Sequence, residues 1–357
     1  MREKPIFRRK ISANLMEIPR TPHLWKFPVP PQCFAFIALC ALGFSPLIAA
    51  PQVHEMDPAK VVGTQKCGEC HKFEVEAWKL TPHFKTFNDM HRSPEAQKIA
   101  TAMAIKRLKS ESLCLTCHYS VQKKGGVEDV IAGVSCESCH SPAQDWLNLH
   151  NDKKLSRDQK KIKSLDAGML RPEDIYTVAS NCFQCHLVPN EKLINVGGHS
   201  AATPGFDLVA WSQGMVRHNF LLDDGTEGKV NKPDAQNRLR MLFVVGKILD
   251  VEFSLRGVAS ATQKATYAVT MAQRVGAART QLAEIQKLAP TEEIAAITEI
   301  ASSVSLKLNN KAELTAAANK VGEMGRKFAT KQTGDKLAAV DSLIPKPDKY
   351  RGAPFKP

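Results

Sequence analysis

The sequence predicts a mainly α protein with little regular sheet, ending in an antiparallel helical bundle, and three observations lead there. Four copies of Cys-x-x-Cys-His stand between residues 67 and 186. Around them sustained amphipathic periodicity is sparse, so that part of the chain is expected to wrap something other than its own side chains. After about residue 232 there is no Cys or His, and Ala-rich helical periodicity takes over. The 357 residues suffice for two or three domains of roughly 100–200 residues each. They divide into an export signal (1–50), a Cys/His-rich domain (51–230), a helical domain (231–335) and an extended tail (336–357). A composition of 43% hydrophobic and 24% charged residues is that of a soluble globular protein. No apolar run of about 20 residues occurs beyond the N-terminus, which excludes a multi-span membrane protein.

Arg2, Lys4, Arg8, Arg9, Lys10, Arg20 and Lys26 precede the apolar run from Cys33 to Phe44, which exits through Pro46-Leu-Ile-Ala-Ala50. Basic region, apolar centre and small-residue exit are the parts of a secretory signal, with cleavage expected after Ala50 and a periplasmic destination. The long basic region leaves two alternatives, a start at Met16 or an uncut segment that associates the protein with the membrane. Cys40 is a poor lipoprotein cysteine because the bulky Leu39 precedes it. Cleavage would take the net charge from +13 to +8 and leave eight cysteines, all of them in Cys-x-x-Cys pairs.

Those pairs are Cys67/Cys70 before His71, Cys114/Cys117 before His118, Cys136/Cys139 before His140 and Cys182/Cys185 before His186. The spacing is that of c-type heme attachment. Two thiols two residues apart reach the two vinyl groups on one edge of a porphyrin, and the next His swings beneath the ring to bind iron. Paired zinc ribbons would use the thiols but leave four trailing histidines unexplained. Disulfides across two-residue loops are poor structural staples. Four covalently attached heme c groups, and no structural disulfide, are therefore expected. The positive charge alone would allow nucleic acid as a partner, but this spacing decides against it. Two propionates leave each ferric heme at about −1, which would reduce +8 to about +4.

Distal iron ligands must come from His54, His83, His91, His150, His199 and His218. A second imidazole makes iron suited to electron transfer, whereas an open position binds small molecules. Thr81 as cap and Pro82 at the first position predict a helix running to His91. His83, Phe87 and His91 then share one face. Met90, at helical spacing, reads as packing.

At these residues the chain resembles the tetraheme cytochrome c-554 family of nitrifying bacteria. The likeness is carried by Lys66 to His71 leading to Trp78 and Thr81-Pro-His83, by Gly133 to His140 followed by His150, and by Asn181 to Leu187. It covers residues about 60 to 222 and not the C-terminal third. The resemblance implies a mainly helical multiheme fold with hemes stacked in close pairs. It also implies that His83 serves the heme on His140, that His150 serves the heme on His71, and that His218, with His199 as runner-up, serves the heme on His186. The heme on His118 is five-coordinate in the archetype. Here His91 and the surplus one of His199 and His218 are spare, which favours an occupied sixth position. Where the family has Gly-Pro after the third motif, this chain has Ser141-Pro142.

Further on, Leu239 to Leu255 reads as a buried helix, because Lys247, Asp250 and Glu252 interrupt it too often for a membrane span. Helices are also expected over about 262–288, from Pro290-Thr291 to about 307, and over 311–331. Their Ala-rich faces allow close approach in a bundle that covers the heme domain or mediates self-association. The expected function is a periplasmic electron carrier between a dehydrogenase, by resemblance of the hydroxylamine oxidoreductase kind, and downstream cytochromes or a membrane oxidoreductase. Its partners are then redox proteins, with no nucleic acid and no small-molecule substrate. Two alternatives are an enzyme with one open heme and a heme-wire subunit of a respiratory complex.

Overall fold

Helix caps set the local architecture. In the computed structural model, which describes residues 56–221 and 228–357, short capped helices dominate the first half; the expected signal 1–50 and His54 lie outside the described residues. They are α1 (Thr64–Gly68), α2 (Lys72–Lys79), α3 (Pro82–Asp89), α4 (Pro94–Ala102), α5 (Ser112–His118), α6 (Cys136–His140), α7 (Leu147–His150), α8 (Arg157–Asp166), α9 (Ile175–His186), α10 (Glu191–Asn195) and α11 (Leu208–Ser212). Thr81 and Ser93 each accept the backbone N–H three residues on, and each is followed by Pro at the first helical position. Such a Pro sacrifices no helix hydrogen bond. Three of the four motif histidines close a helix, α5, α6 or α9, while His71 caps the start of α2.

One two-stranded antiparallel sheet joins β1 (Ser120–Lys124) to β2 (Val127–Ala132). The Lys123-Lys-Gly-Gly126 stretch, expected as a loop, is the turn of this hairpin. Gly125 and Gly126 both have positive φ (58° and 84°), as a two-residue turn matching strand twist requires.

The second half consists of α12 (Gln236–Ser260), α13 (Thr266–Leu288), α14 (Glu292–Ser303) and α15 (Lys311–Lys331), close to their expected limits. Helix α12 packs against α13, α15 and also α9, which explains why it is buried on nearly every side and lacks a single apolar stripe. Among the described residues, no helix is long and apolar enough to cross a membrane.

The expected boundary near residue 230 divides the chain but not its core. Tyr176, Phe183, Leu193 and Val209 join Leu249, Leu255, Val321 and Phe328 in one cluster of buried side chains. Each such side chain contributes about 1.5–3 kcal/mol, so α9 to α11 and the bundle stabilise one another. Glu252 is buried within this core, where Arg256 (2.6 Å) and the Tyr176 hydroxyl (2.5 Å) donate to it. An unpaired carboxylate there would be prohibitively costly.

The tail is also not extended as expected. A 3-10 segment, Asp335–Leu343, buries Leu337 and Val340, because these apolar residues find core that a Pro-rich composition does not disclose. The Arg351 amide then donates to the Ala210 carbonyl (2.8 Å), and the Met215 amide donates to the Arg351 carbonyl (2.9 Å).

Candidate heme sites

Eight histidines stand in four pairs, each with one motif His and one His from elsewhere. Ring centroids are 6.3 Å apart for His71 and His150, 6.3 Å for His118 and His199, 6.3 Å for His140 and His218, and 6.2 Å for His186 and His83. A metal–imidazole bond of about 2 Å on each side, plus roughly 1 Å from each nitrogen to its ring centre, separates two trans imidazole centroids by about 6 Å. The interplanar angles differ widely, from 20° to 89°, while the separation does not. A shared separation without a shared stacking geometry is the mark of a spacer between the rings. Among the described residues, no group of three or more His, Cys, Asp or Glu side chains converges as a tetrahedral zinc site would need. Imidazoles in opposed twos suit an iron whose other four positions a porphyrin fills.

Local hydrogen bonds aim the rings. Nδ1 donates to a carbonyl oxygen in His140 (Leu170, 3.0 Å), His150 (Leu147, 2.5 Å), His199 (Ser200, 2.8 Å) and His218 (Val216, 2.7 Å). Because a carbonyl only accepts, Nδ1 carries the proton and Nε2 keeps its lone pair for a metal. The Nδ1 of His186 meets the Thr203 hydroxyl (2.9 Å), and its ring stacks on Phe206 at 4.5 Å. Burial pushes the pKa of His118 and of His186 down to about 4. It also lowers those of His83, His140 and His150, so all five are neutral at pH 7, as ligands must be.

The eight motif cysteines are not equally enclosed. Cys70 is exposed, whereas the other seven are buried or half-buried. The reason is local. In the other three motifs the second Cys lies inside a helix that ends on the His. Helix α1 instead stops at Gly68 and leaves Cys70 in the turn before α2, where its amide and that of His71 both donate to the Cys67 carbonyl (3.2 and 2.8 Å). The first site is thus open to solvent on its Cys70 side.

Thiols of different motifs lie side by side, Cys67 and Cys136 within hydrogen-bonding reach of each other, Cys185 and Cys117 likewise, with Cys182 near Cys139. The attachment edges of motifs one and three therefore meet, as do those of two and four, and of three and four. Backbone-directed bonds fix this arrangement. The Asn181 amide donates to the Cys139 carbonyl (3.1 Å), and Thr86 Oγ1 bridges the carbonyls of His83 (2.7 Å) and His118 (3.0 Å). Trp78 Nε1 donates to Val134 O (2.8 Å), tying α2 to the loop that enters the third motif.

Two residues here escape motif reading. Glu137, inside the third motif and 1% exposed, accepts from the amides of Val62 (2.9 Å), Gly63 (2.8 Å) and Ala143 (2.8 Å). It clamps the approach to the first motif onto the third. Ser141 takes positive φ (71°) immediately after His140. Only its replacement of a family glycine signals this in the sequence.

The pairing of the rings differs from what the resemblance implied for two of the motif histidines. His150 lies opposite His71 as implied, but His83 faces His186 instead of His140, and His218 faces His140 instead of His186. The His83 carbonyl accepts the Val134 amide (3.1 Å), and a Cβ on Gly133 would sit 2.2 Å from that carbonyl oxygen. Helix α3 is thus pressed against the loop leading into the third motif by its backbone, leaving the His83 ring to meet α9. His199 faces His118, while His91 faces none of the motif histidines among the described residues. Helix α3 stops at Asp89 and tightens into a 3-10 turn over Met90–Arg92. That change of period removes His91 from the face it would share with His83. Met90 packs its sulfur against the Tyr119 hydroxyl (3.5 Å).

Comparison with known proteins finds a family match over the stretch that holds the first three motifs. The family model described as "Cytochrome c554 and c-prime" matches residues 66–141. Cytochrome c-554 of Nitrosomonas europaea is 26% identical over 133 residues, covering 35% of this chain and 57% of that protein. The chain thus matches just over half the length of this curated relative. No solved structure matches.

Proposed function

We propose, taking as premise a c-type cytochrome of the c554 kind, an electron-transfer protein, that this chain is a periplasmic tetraheme carrier with every iron held between two imidazoles. The observation that carries this reading is the common 6.2–6.3 Å separation of four His pairs. Heme c, when bound, supplies an iron that takes up or gives back one electron. The chain's own residues do the rest. Cys67/Cys70, Cys114/Cys117, Cys136/Cys139 and Cys182/Cys185 form the thioethers, with Cys70 at the solvent-facing rim of the first site. His71, His118, His140 and His186, each together with the ring it faces (His150, His199, His218 and His83 respectively), would hold the four irons. Carbonyl partners hold Nδ1 so that the rings do not rotate as charge changes. Closed coordination leaves no position for a small substrate, which favours a carrier over an enzyme.

Meeting attachment edges give the electron an order of passage, from the first site through the third and fourth to the second, or the reverse. By the likeness to cytochrome c-554, the donor is a dehydrogenase of the hydroxylamine oxidoreductase kind. The acceptors are a downstream cytochrome or a membrane oxidoreductase. Pyridine hemochrome and electron paramagnetic resonance on one oxidised sample of holoprotein test the reading. The expected result is four hemes per chain, all low-spin, with His199→Ala adding one high-spin signal. A native high-spin iron would replace the carrier with an enzyme reading centred on His118, and fewer than four hemes would overturn the four-site assignment.

A further inference from the structure

We infer that Glu74 is a positioning residue that gives the first site the lowest reduction potential of the four and so makes it the point of electron entry; the inference rests on the carrier reading above. Among the described residues, His71 is the one histidine of the four pairs with a carboxylate within 4.0 Å, its Nδ1 lying 3.7 Å from Glu74 Oε1. The partners of the corresponding nitrogen elsewhere are uncharged, the Leu170 carbonyl for His140 (3.0 Å) and the Thr203 hydroxyl for His186 (2.9 Å).

The contact follows from how α2 begins. His71 caps this helix, and Glu74 is its third residue. A Glu in that position ordinarily reaches back to the backbone N–H of the cap residue. Here that N–H already donates to the Cys67 carbonyl (2.8 Å), so the carboxylate is left to the imidazole ring. In the other three motifs the His ends its helix, and none has a third helical residue beyond it to reach back. The Glu74 side chain is only 13% exposed, and a charge so far withdrawn from water acts on its neighbours more strongly than one in bulk solvent.

At 3.7 Å the contact is Coulombic rather than a full hydrogen bond. His71 keeps its Nδ1 proton when Nε2 binds a metal, and a carboxylate beside that proton makes the imidazole a more basic ligand. Ferric iron carries one more positive charge than ferrous, so the carboxylate favours the ferric state and lowers the potential. Solvent on the Cys70 side acts in the same direction. Entry there is one electron lost by the donor and one ferric iron made ferrous, with no bond formed or broken. From a first site of lowest potential the electron then falls to the third, which fixes the direction that the meeting edges leave open.

A potentiometric titration of the holoprotein followed by electron paramagnetic resonance tests the inference. His150→Ala, which opens only the first iron, identifies that iron's low-spin signal by its loss. Glu74→Gln is compared with Glu76→Gln, an equal charge change at an exposed position of the same helix, paired with Lys79 (2.8 Å). At a fixed potential Glu74→Gln is expected to raise the ferrous-to-ferric ratio of the first iron about tenfold, an upward shift of about 59 mV for a one-electron couple. Glu76→Gln is expected to stay within about twofold of wild type. Glu74→Asp keeps the charge but draws it back by one methylene, so a smaller upward shift is expected, and it serves where Glu74→Gln loads heme poorly. A first midpoint that is not the lowest of four in wild type, or that neither Glu74 variant moves, would overturn the inference. So would an equal shift in Glu76→Gln, or one in Glu74→Asp as large as in Glu74→Gln. Heme content and spin state of wild type, read from the same samples, test the carrier reading separately.

Discussion

Ser141 shows how much a single residue can be asked to do next to a metal ligand. Its φ of 71° with ψ of 159° is a region almost reserved for glycine, costing about 1–3 kcal/mol for other residues. The side chain offsets that cost, because its hydroxyl donates to the Gly168 carbonyl and accepts from Trp146 Nε1 (3.2 Å). Two variants separate strain from bonding. Ser141→Gly loses both bonds but also the strain, and is expected to stay within about 1 kcal/mol of wild type. Ser141→Ala keeps the strain and loses both bonds, so it is expected to be destabilised by about 2 kcal/mol. Denaturant unfolding of the holoprotein measures both, and equal stabilities would refute this account.

Among the elements, α9 links the two halves of the molecule. Its last turns carry Cys182, Cys185 and His186, while Tyr176 near its start is buried against α12 and α15. That packing depends on small residues in α15. A Cβ added to Gly325 would stand 2.4 Å from the Tyr176 ring and 2.8 Å from Ile248, and one on Gly322 would stand 2.8 Å from the Glu252 carboxylate. Gly325→Ala is accordingly expected to destabilise by about 1–3 kcal/mol through overpacking. The denaturation midpoint of the holoprotein reports it; an unchanged midpoint would mean that α15 approaches α9 less closely. The C-terminal helices thus form one wall of the fourth site's support, beyond any role in self-association.

For the whole molecule, the tail closes the structure. Arg240 donates to both carboxylate oxygens of Asp341 (2.7 Å each). Beyond this anchor, Arg351 binds Ala210 and Met215, and the Phe355 carbonyl accepts from the Asn231 side chain (3.0 Å). The strap thereby holds the segment that presents His218. Hydrogen bonds from Arg240 depress the Asp341 pKa from 3.8 to about 2. A depressed folded-state pKa contributes stability that is fully present above the unfolded value and is lost as pH falls through the folded one. Asp341→Asn is therefore expected to be less stable than wild type above about pH 4 and to converge with it near pH 2. The group is partly exposed, so the difference is modest. Acid unfolding followed by circular dichroism checks it, and parallel curves at all pH values would exclude the strap as a pH-dependent anchor.

What sequence alone determined here is local covalent and helical chemistry. The Cys-x-x-Cys-His spacing that points to heme attachment is legible because the two thiols and the His lie within five consecutive residues. The bundle helices were legible for the same reason, since caps and the 3.6-residue period are properties of neighbours in the chain. Distal ligation is different. Whether His83 meets His186 or His140 depends on how Gly133 and Val134 press on α3, some 50 residues away, and a single tightened turn at Met90 suffices to remove His91. Even within a motif, the spacing that marks Cys70 says nothing of its exposure, which follows from where α1 ends and what packs over the turn. The shared core of α9 and the bundle, the three amides converging on Glu137 and the strap that positions His218 belong to the same class. They are contacts between residues far apart in sequence, chosen by mutual fit of buried surfaces, and only the tertiary structure decided them.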